Sequence, residues 1–242
     1  MSWPFRDSRP WVYGHRGVRD IAPENTLLAF DVALAKGADG IEFDVQVTRD
    51  GTAVVFHDAS LERMTGGREK RLVAELTAEE ACLTALEKGA TIPAFCDVLR
   101  WAEGNRLFLN IELKCTESDS CRLVDAVERD IRAHSSSNLQ RRLLISSFSV
   151  DAIRHVIARN WPFHIAQLAD EGQPGSIRNM SGARGIHSHF SQVEDADDLP
   201  TRREHFVNVW TVNEPSVARR MNQLGVDGII TDEIGRIFDA MV

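Results

Sequence analysis

Bases are in short supply: 28 Lys and Arg face 36 Asp and Glu, a formal net charge of −8. A chain of that sign repels polyanions and lacks the basic field that nucleic-acid binding needs, so nuclease and DNA-binding readings are disfavoured, although a local cluster can still hold one anionic group. Cysteine is scarce as well. Cys82, Cys96, Cys115 and Cys121 contain no CxxC pair, which leaves little support for a disulfide scaffold or for zinc or thiol chemistry. Long apolar runs are missing: none approaches the ~18 residues that span a bilayer. The opening "MSWPFRDSRPW" carries charge and proline where a secretory signal needs an apolar stretch. The expected setting is the cytoplasm, without integral membrane association. No Gly-x-Gly-x-x-Gly follows the first strand-like run, which weakens a nucleotide-binding reading.

What is present is a rhythm. Strand-like runs "WVYGH", "GIEFDVQV", "LFLNIEL", "RLLISSF", "FHIAQLA", "RGIHSHF", "FVNVWTV" and "DGIITD" alternate with helical patterns such as "NTLLAFDVALAKG", "SCRLVDAVERDIRAH" and "EPSVARRMNQLG". The connections "GQPGSIRNMSG" and "SQVEDADDLPTRREH" are weaker helix candidates. Such alternation predicts repeated βαβ units and a parallel sheet, and eight units in 242 residues fit a (β/α)₈ TIM barrel occupying the whole span as a single domain. Asn25 or Thr26 is the expected N-cap of the first helix, and Gly37 its stop. Residues 48–93 break the rhythm. Asp50-Gly51 predicts a hairpin turn into "TAVVFH", followed by a small insertion, at about 58–92, that rejoins the barrel at Pro93.

Barrel strands are covered by helices outside and filled by side chains inside, so both faces should be apolar. Two strands depart from that. Alternation in "GIEFDVQV" sets Glu42, Asp44 and Gln46 against Ile41, Phe43, Val45 and Val47; in "LNIELK" it sets Asn110, Glu112 and Lys114 against Leu109, Ile111 and Leu113. With the apolar faces on the helices, Glu42, Asp44, Glu112 and Lys114 point into the barrel. Buried carboxylates need a partner. Internal salt bridges to Lys114 are one solution, yet three acids and one lysine leave surplus negative charge, which a hard divalent cation would neutralise. With no His or Cys at zinc-like spacing among these acids, Mg²⁺ or Ca²⁺ is favoured over zinc. His15 and His57 stand near the C-terminal ends of early strand-like runs, where barrel enzymes carry their sites.

The stretch "HRGVRDIAPENTLLAFDVALAKGADGIEFDVQVTRDGTAVVFHDASLERMTGG" resembles the glycerophosphodiester phosphodiesterase family, whose pattern runs His-Arg-Gly, Glu-Asn-Thr, Glu-x-Asp, Asp-Gly and His-Asp in this order. The likeness continues through "IPAFCDVL", "LNIELK", "ISSF", "VWTVN" and "GVDGIITD", from about residue 12 to 235. It implies a barrel fold, metal ligation by Glu42, Asp44 and Glu112, acid–base roles for His15 and His57, and a phosphate grip by Arg16 and Lys114. Trp210 matches an aromatic residue at the mouth, where glycerol or a head group would pack; the alternative is a core tryptophan. The resemblance further implies hydrolysis of glycerophosphodiesters to sn-glycerol 3-phosphate and an alcohol. Attack by the glycerol 2-hydroxyl would give a cyclic phosphate that water then opens. A phospholipase D-like action on lysophospholipids, or on a sugar- or opine-linked diester, is the nearest rival on the same framework, and a non-catalytic phosphodiester-binding barrel is a third reading. Pro23-Glu24-Asn25-Thr26 reads as architectural, a cap and turn behind His15.

Overall fold

The computed structural model describes residues 4, 8–170, 181–196, 199 and 205–241. Strands β1 (Trp11–His15), β2 (Gly40–Val47), β3 (Ala53–Val55), β4 (Phe108–Leu113), β5 (Leu143–Ser147), β6 (His164–Ala169), β7 (Gly185–His189), β8 (Phe206–Trp210) and β9 (Gly228–Thr231) form one sheet. Its order is β1-β9-β8-β7-β6-β5-β4-β2-β3, and β1 also pairs with β2, which closes eight parallel strands into a barrel. β3 is the exception. It pairs antiparallel with β2 (Val45 opposite Val55) across the Asp50-Gly51 turn, where Gly51 has φ 82°.

Helices α1 (Leu27–Ala35), α2 (Ala78–Leu83), α3 (Phe95–Glu103), α4 (Ser120–His134), α5 (Ser137–Gln140), α6 (Val150–Ala158), α7 (Pro215–Leu224) and α8 (Ile234–Met241) complete the described elements. None of the described helices is long and apolar enough to cross a membrane. α2 lies within the 58–92 insertion beside three single 3-10 turns, and Leu61, Val73 and Leu76 of the segment form a second apolar cluster with Val54 and Phe56 of the hairpin. The chain rejoins the barrel where Val55 N donates to Pro93 O at 2.9 Å. Most of the weak helix candidate at 172–182 lies outside the described residues. In the other weak candidate, at 191–205, a 3-10 turn spans Phe190–Gln192, and residues 197, 198 and 200–204 lie outside the described set.

Sheet residues alternate between two environments. Outward side chains such as Ile41, Phe43, Ile111 and Val209 join the helices in the main core. Inward ones at the N-terminal end of the barrel form a separate apolar plug of Tyr13, Leu144, Ala166, Phe206 and Ile230. The plug depends on close backbone approach: a Cβ on Gly185 would lie 2.2 Å from the Phe206 ring, and one on Gly40 would lie 2.5 Å from Tyr13. Above the plug comes a neutral polar layer. His187, fully buried, faces Asn208 Nδ2 at 3.0 Å and Asn110 Nδ2 at 3.4 Å, and Ser146 donates to Asn110 Oδ1 at 2.9 Å. Burial pushes the His187 imidazole down to about 3, so it stays uncharged. Charge is confined to the next layer, at the C-terminal mouth.

Candidate active site

The mouth holds a cavity of about 200 Å³ with two unlike walls. His15, Arg16, Glu42, His57, Glu112 and Lys114 form one; Phe148, Leu168, Trp210 and Ile230 form the other. Asp44 lies just beneath, fully buried. All eight residues singled out by the sequence therefore meet at one end of the barrel.

Strand register assembles the acids. Asp44 of β2 stands opposite Glu112 of β4, and His15 of β1 stands opposite Glu42. One carboxylate oxygen from each of Glu42, Asp44 and Glu112 falls within 4.8 Å of the others. Lys114 Nζ reaches Glu112 Oε1 at 2.6 Å and Asp44 Oδ1 at 3.5 Å, and Arg16 Nε lies 3.3 Å from Asp44 Oδ2. The internal salt bridges thus exist, but two cations against three acids leave one negative charge over. Glu42 carries the imbalance: burial, then Asp44 and Glu112, push its carboxyl far above the usual range, and its Oε1 is buried without a hydrogen-bond partner. Burial and Asp44 likewise push Glu112 up to about 7. Asp44 goes the other way, because Lys114 and Arg16 outweigh its burial. An orphaned buried oxygen in an all-carboxylate set with surplus charge fits a hard divalent cation.

The turn after β1 places Arg16. Arg16 itself has φ 54° and Gly17 φ 85°, two consecutive left-handed residues, and a Cβ on Gly17 would lie 2.7 Å from the Ala29 backbone. This turn aims Arg16 N at Glu42 Oε2 (3.1 Å) and its guanidinium at Glu24 (3.0 Å) and Asp44.

Both histidines are held by carboxylates through Nδ1. His57 lies just past β3, with Nδ1 2.7 Å from Asp58 Oδ1, while Gln46 Nε2 donates to Phe56 O and Asp58 O, both at 2.8 Å, to fix the loop. Burial, aided by Lys114 and Arg16, lowers the His57 imidazole below its ordinary value. His15 Nδ1 lies 2.8 Å from Asp232 Oδ1. On the opposite wall, Trp210 is pinned by donation from Nε1 to His187 O at 3.1 Å, with Phe148 edge-on at 5.6 Å.

The sequence offers Asn25 or Thr26 as the cap of the first helix, but not the contacts that Asn25 and Glu24 make. Thr26 is the N-cap of α1, which frees Asn25, at φ 58°, to turn into the barrel; its Nδ2 donates to Asp44 Oδ2 at 2.8 Å and its Oδ1 accepts from Asp44 N at 3.2 Å. Glu24 joins Arg16 to Arg63, and Arg63 Nε continues to Asp58 Oδ2 at 2.6 Å. The segment read as architectural thus orients both Asp44 and Arg16. Asp232 had a legible signal, a carboxylate two positions after Ile230 and just past the end of the last strand.

Comparison with known proteins agrees with this geometry. Residues 15–236 match the family model described as glycerophosphoryl diester phosphodiesterase family. A glycerophosphodiester phosphodiesterase of Caldanaerobacter subterraneus subsp. tengcongensis is 33% identical over 232 residues, covering 92% of this chain and 93% of its own length. One from Bacillus altitudinis is 32% identical over 235 residues, with 91% and 94% covered. Among solved structures, an Oleispira antarctica phosphodiesterase in complex with the product sn-glycerol-3-phosphate superposes with a TM-score of 0.86 at 25% identity, over 96% of this chain and 97% of that one.

Proposed function

The chain belongs to the glycerophosphoryl diester phosphodiesterase family, and from that premise we propose that it hydrolyses small glycerophosphodiesters, such as glycerophosphocholine or glycerophosphoethanolamine, to sn-glycerol 3-phosphate and an alcohol in a divalent-metal-dependent reaction. The observation that carries this reading is the meeting, in one cavity, of three buried carboxylates with surplus charge and two carboxylate-paired histidines. The product bound by the Oleispira antarctica enzyme supports the choice of substrate.

Glu42, Asp44 and Glu112 would hold Mg²⁺ or Ca²⁺. When bound, the cation supplies charge neutralisation and electrostatic stabilisation of the phosphoryl oxygens. Arg16 and Lys114 grip the phosphate from the same wall, and their charges favour the transition state, in which negative charge on the oxygens builds up. Glycerol packs against Trp210. One imidazole takes the proton from the attacking 2-hydroxyl as its oxygen bonds to phosphorus. The other protonates the departing alkoxide as the phosphorus–oxygen bond breaks. The roles then reverse when water opens the cyclic phosphate, each proton transfer worth roughly 10²–10⁴-fold.

The test is a panel of glycerophosphodiesters and lysophospholipids assayed with Mg²⁺, Ca²⁺ or chelator for sn-glycerol 3-phosphate and lysophosphatidate. Metal-dependent release of sn-glycerol 3-phosphate is expected, with poor turnover of diesters lacking the vicinal hydroxyl. Lysophosphatidate as the main product would transfer the activity to the phospholipase D-like reading, and no metal-dependent product from any substrate would refute both.

A further inference from the structure

We propose that Asp232 is the positioning residue of His15, holding it in the tautomer protonated at Nδ1 so that an unprotonated Nε2 faces the cavity. The proposal rests on the reading of His15 as a proton carrier and adds the residue that prepares it.

A carboxylate only accepts hydrogen bonds, so a histidine nitrogen 2.8 Å from Asp232 Oδ1 must carry the proton. Asp232 has no freedom to do otherwise. Arg19 NH2 donates to Oδ2 at 2.9 Å while its Nε makes an ion pair with Oδ1 at 2.8 Å, and Asn213 Nδ2 donates to Oδ2 at 2.8 Å. The Asn213 amide is itself oriented, since its Oδ1 accepts from Asp232 N at 2.9 Å and from Thr231 Oγ1 at 3.2 Å, which leaves its NH₂ directed at the carboxylate. Three hydrogen-bond donors and the Arg19 charge lock the group in rotation and keep it ionised, below the usual carboxylate range despite its burial. At the other ring nitrogen, Glu42 Oε2 is 4.0 Å from Nε2, too far for a hydrogen bond. Nε2 therefore keeps its lone pair for the substrate. Once it accepts a proton, the imidazolium is stabilised by Asp232, which itself remains a carboxylate.

His57 finds Asp58 as its chain neighbour, but His15 and Asp232 are 217 positions apart. They meet because β1 pairs with β9 in the register Gly14 opposite Thr231, the seam that closes the barrel. Asp232 lines a more open cleft of about 520 Å³ together with Arg19 and Asn213, whereas His15 lines the mouth cavity.

The experiment is Asp232→Asn in the full-length chain, followed by steady-state kinetics on glycerophosphocholine and by ¹⁵N NMR of the His15 ring. Arg19 still requires an acceptor, so the Asn oxygen turns to Arg19 and the NH₂ to His15, which forces the Nε2-protonated tautomer. We expect kcat to fall about 10²–10⁴-fold with KM within about threefold of wild type, and the His15 signature to move from Nδ1–H to Nε2–H. Should the variant fail to fold, the wild-type tautomer decides: Nδ1–H on His15 is required, and Nε2–H overturns the proposal. An Asp232→Asn enzyme with undiminished kcat, or with a raised KM alone, would also overturn it. His15→Ala, assayed in parallel, separates the two claims. Its inactivity beside an active Asp232→Asn removes the positioning role alone, whereas full activity removes the proton-carrier reading and the kinetic half of the proposal with it.

Discussion

The two ends of the barrel interior are made by the same strands and share almost no chemistry. Toward the N-terminal end Tyr13, Leu144, Ala166 and Phe206 fill the space with apolar volume. At the C-terminal end Glu42, Asp44 and Glu112 crowd one negative charge more than Arg16 and Lys114 can balance. Between them His187, Asn110 and Asn208 form a layer that is polar yet neutral. The difference teaches a division of labour. Stability is concentrated where side chains are apolar and reactivity where buried charge lacks compensation, while Ile230 reaches from the plug to the wall of the cavity.

The sharpest break of this comparison is to neutralise one acid at the mouth. Glu42→Gln should lower turnover by about 10³-fold or more, since it removes a proposed ligand. In chelator the same variant should unfold no earlier than wild type, because the surplus buried charge has gone. Thermal melts beside rate measurements check both halves. At the opposite end, Phe206→Ala should destabilise by about 3–5 kcal/mol through the cavity it opens, while kcat measured well below the melting midpoint stays near the wild-type value. Denaturant titration and low-temperature kinetics read that pair.

Arg63 is a milder case, because it belongs to the insertion and touches neither layer directly. Its links to Glu24 and Asp58 make it the strut behind Arg16 and His57. Arg63→Ala should cost roughly 10–100-fold in kcat with a small change in stability; unchanged kinetics would show that the strut is dispensable.

The smallest effect is in pH. Glu112 in the folded chain keeps its proton up to about 7, against an ordinary value of 4.5 when unfolded. Between those values the folded state binds more protons, so this group's contribution to stability is complete below about 4.5 and is lost as pH rises through about 7. In chelator, the melting midpoint of wild type relative to Glu112→Gln should therefore decline from pH 5 to pH 8. A flat difference would mean that the carboxyl is not perturbed.

Much of this was legible in the sequence. Period-two alternation in "GIEFDVQV" and "LNIELK" revealed the inward acids, because in a sheet the face of a side chain follows from its position alone. The hairpin was readable from Asp50-Gly51, whose left-handed glycine is a local requirement. Strand ends were less so: the run read as "TAVVFH" is a strand only over Ala53–Val55, and His57 stands in the loop beyond. What stayed hidden was long-range pairing. Asn25 reads as a cap candidate until Thr26 is seen to take that role, and Glu24 reads as a turn residue until Arg63 is brought to it from 39 positions away. Asp232 is visible as a strand-end acid, but its partner His15 is settled by barrel closure.

The uncompensated charge at the mouth is the proposed seat of a cation. The most direct test is calorimetric titration of Mg²⁺ and Ca²⁺ into chelator-treated protein, alongside Asp44→Asn. A single binding site is expected in the wild type and lost in the variant, together with hydrolysis that returns as the site fills. No binding, with hydrolysis undiminished in chelator, would contradict it.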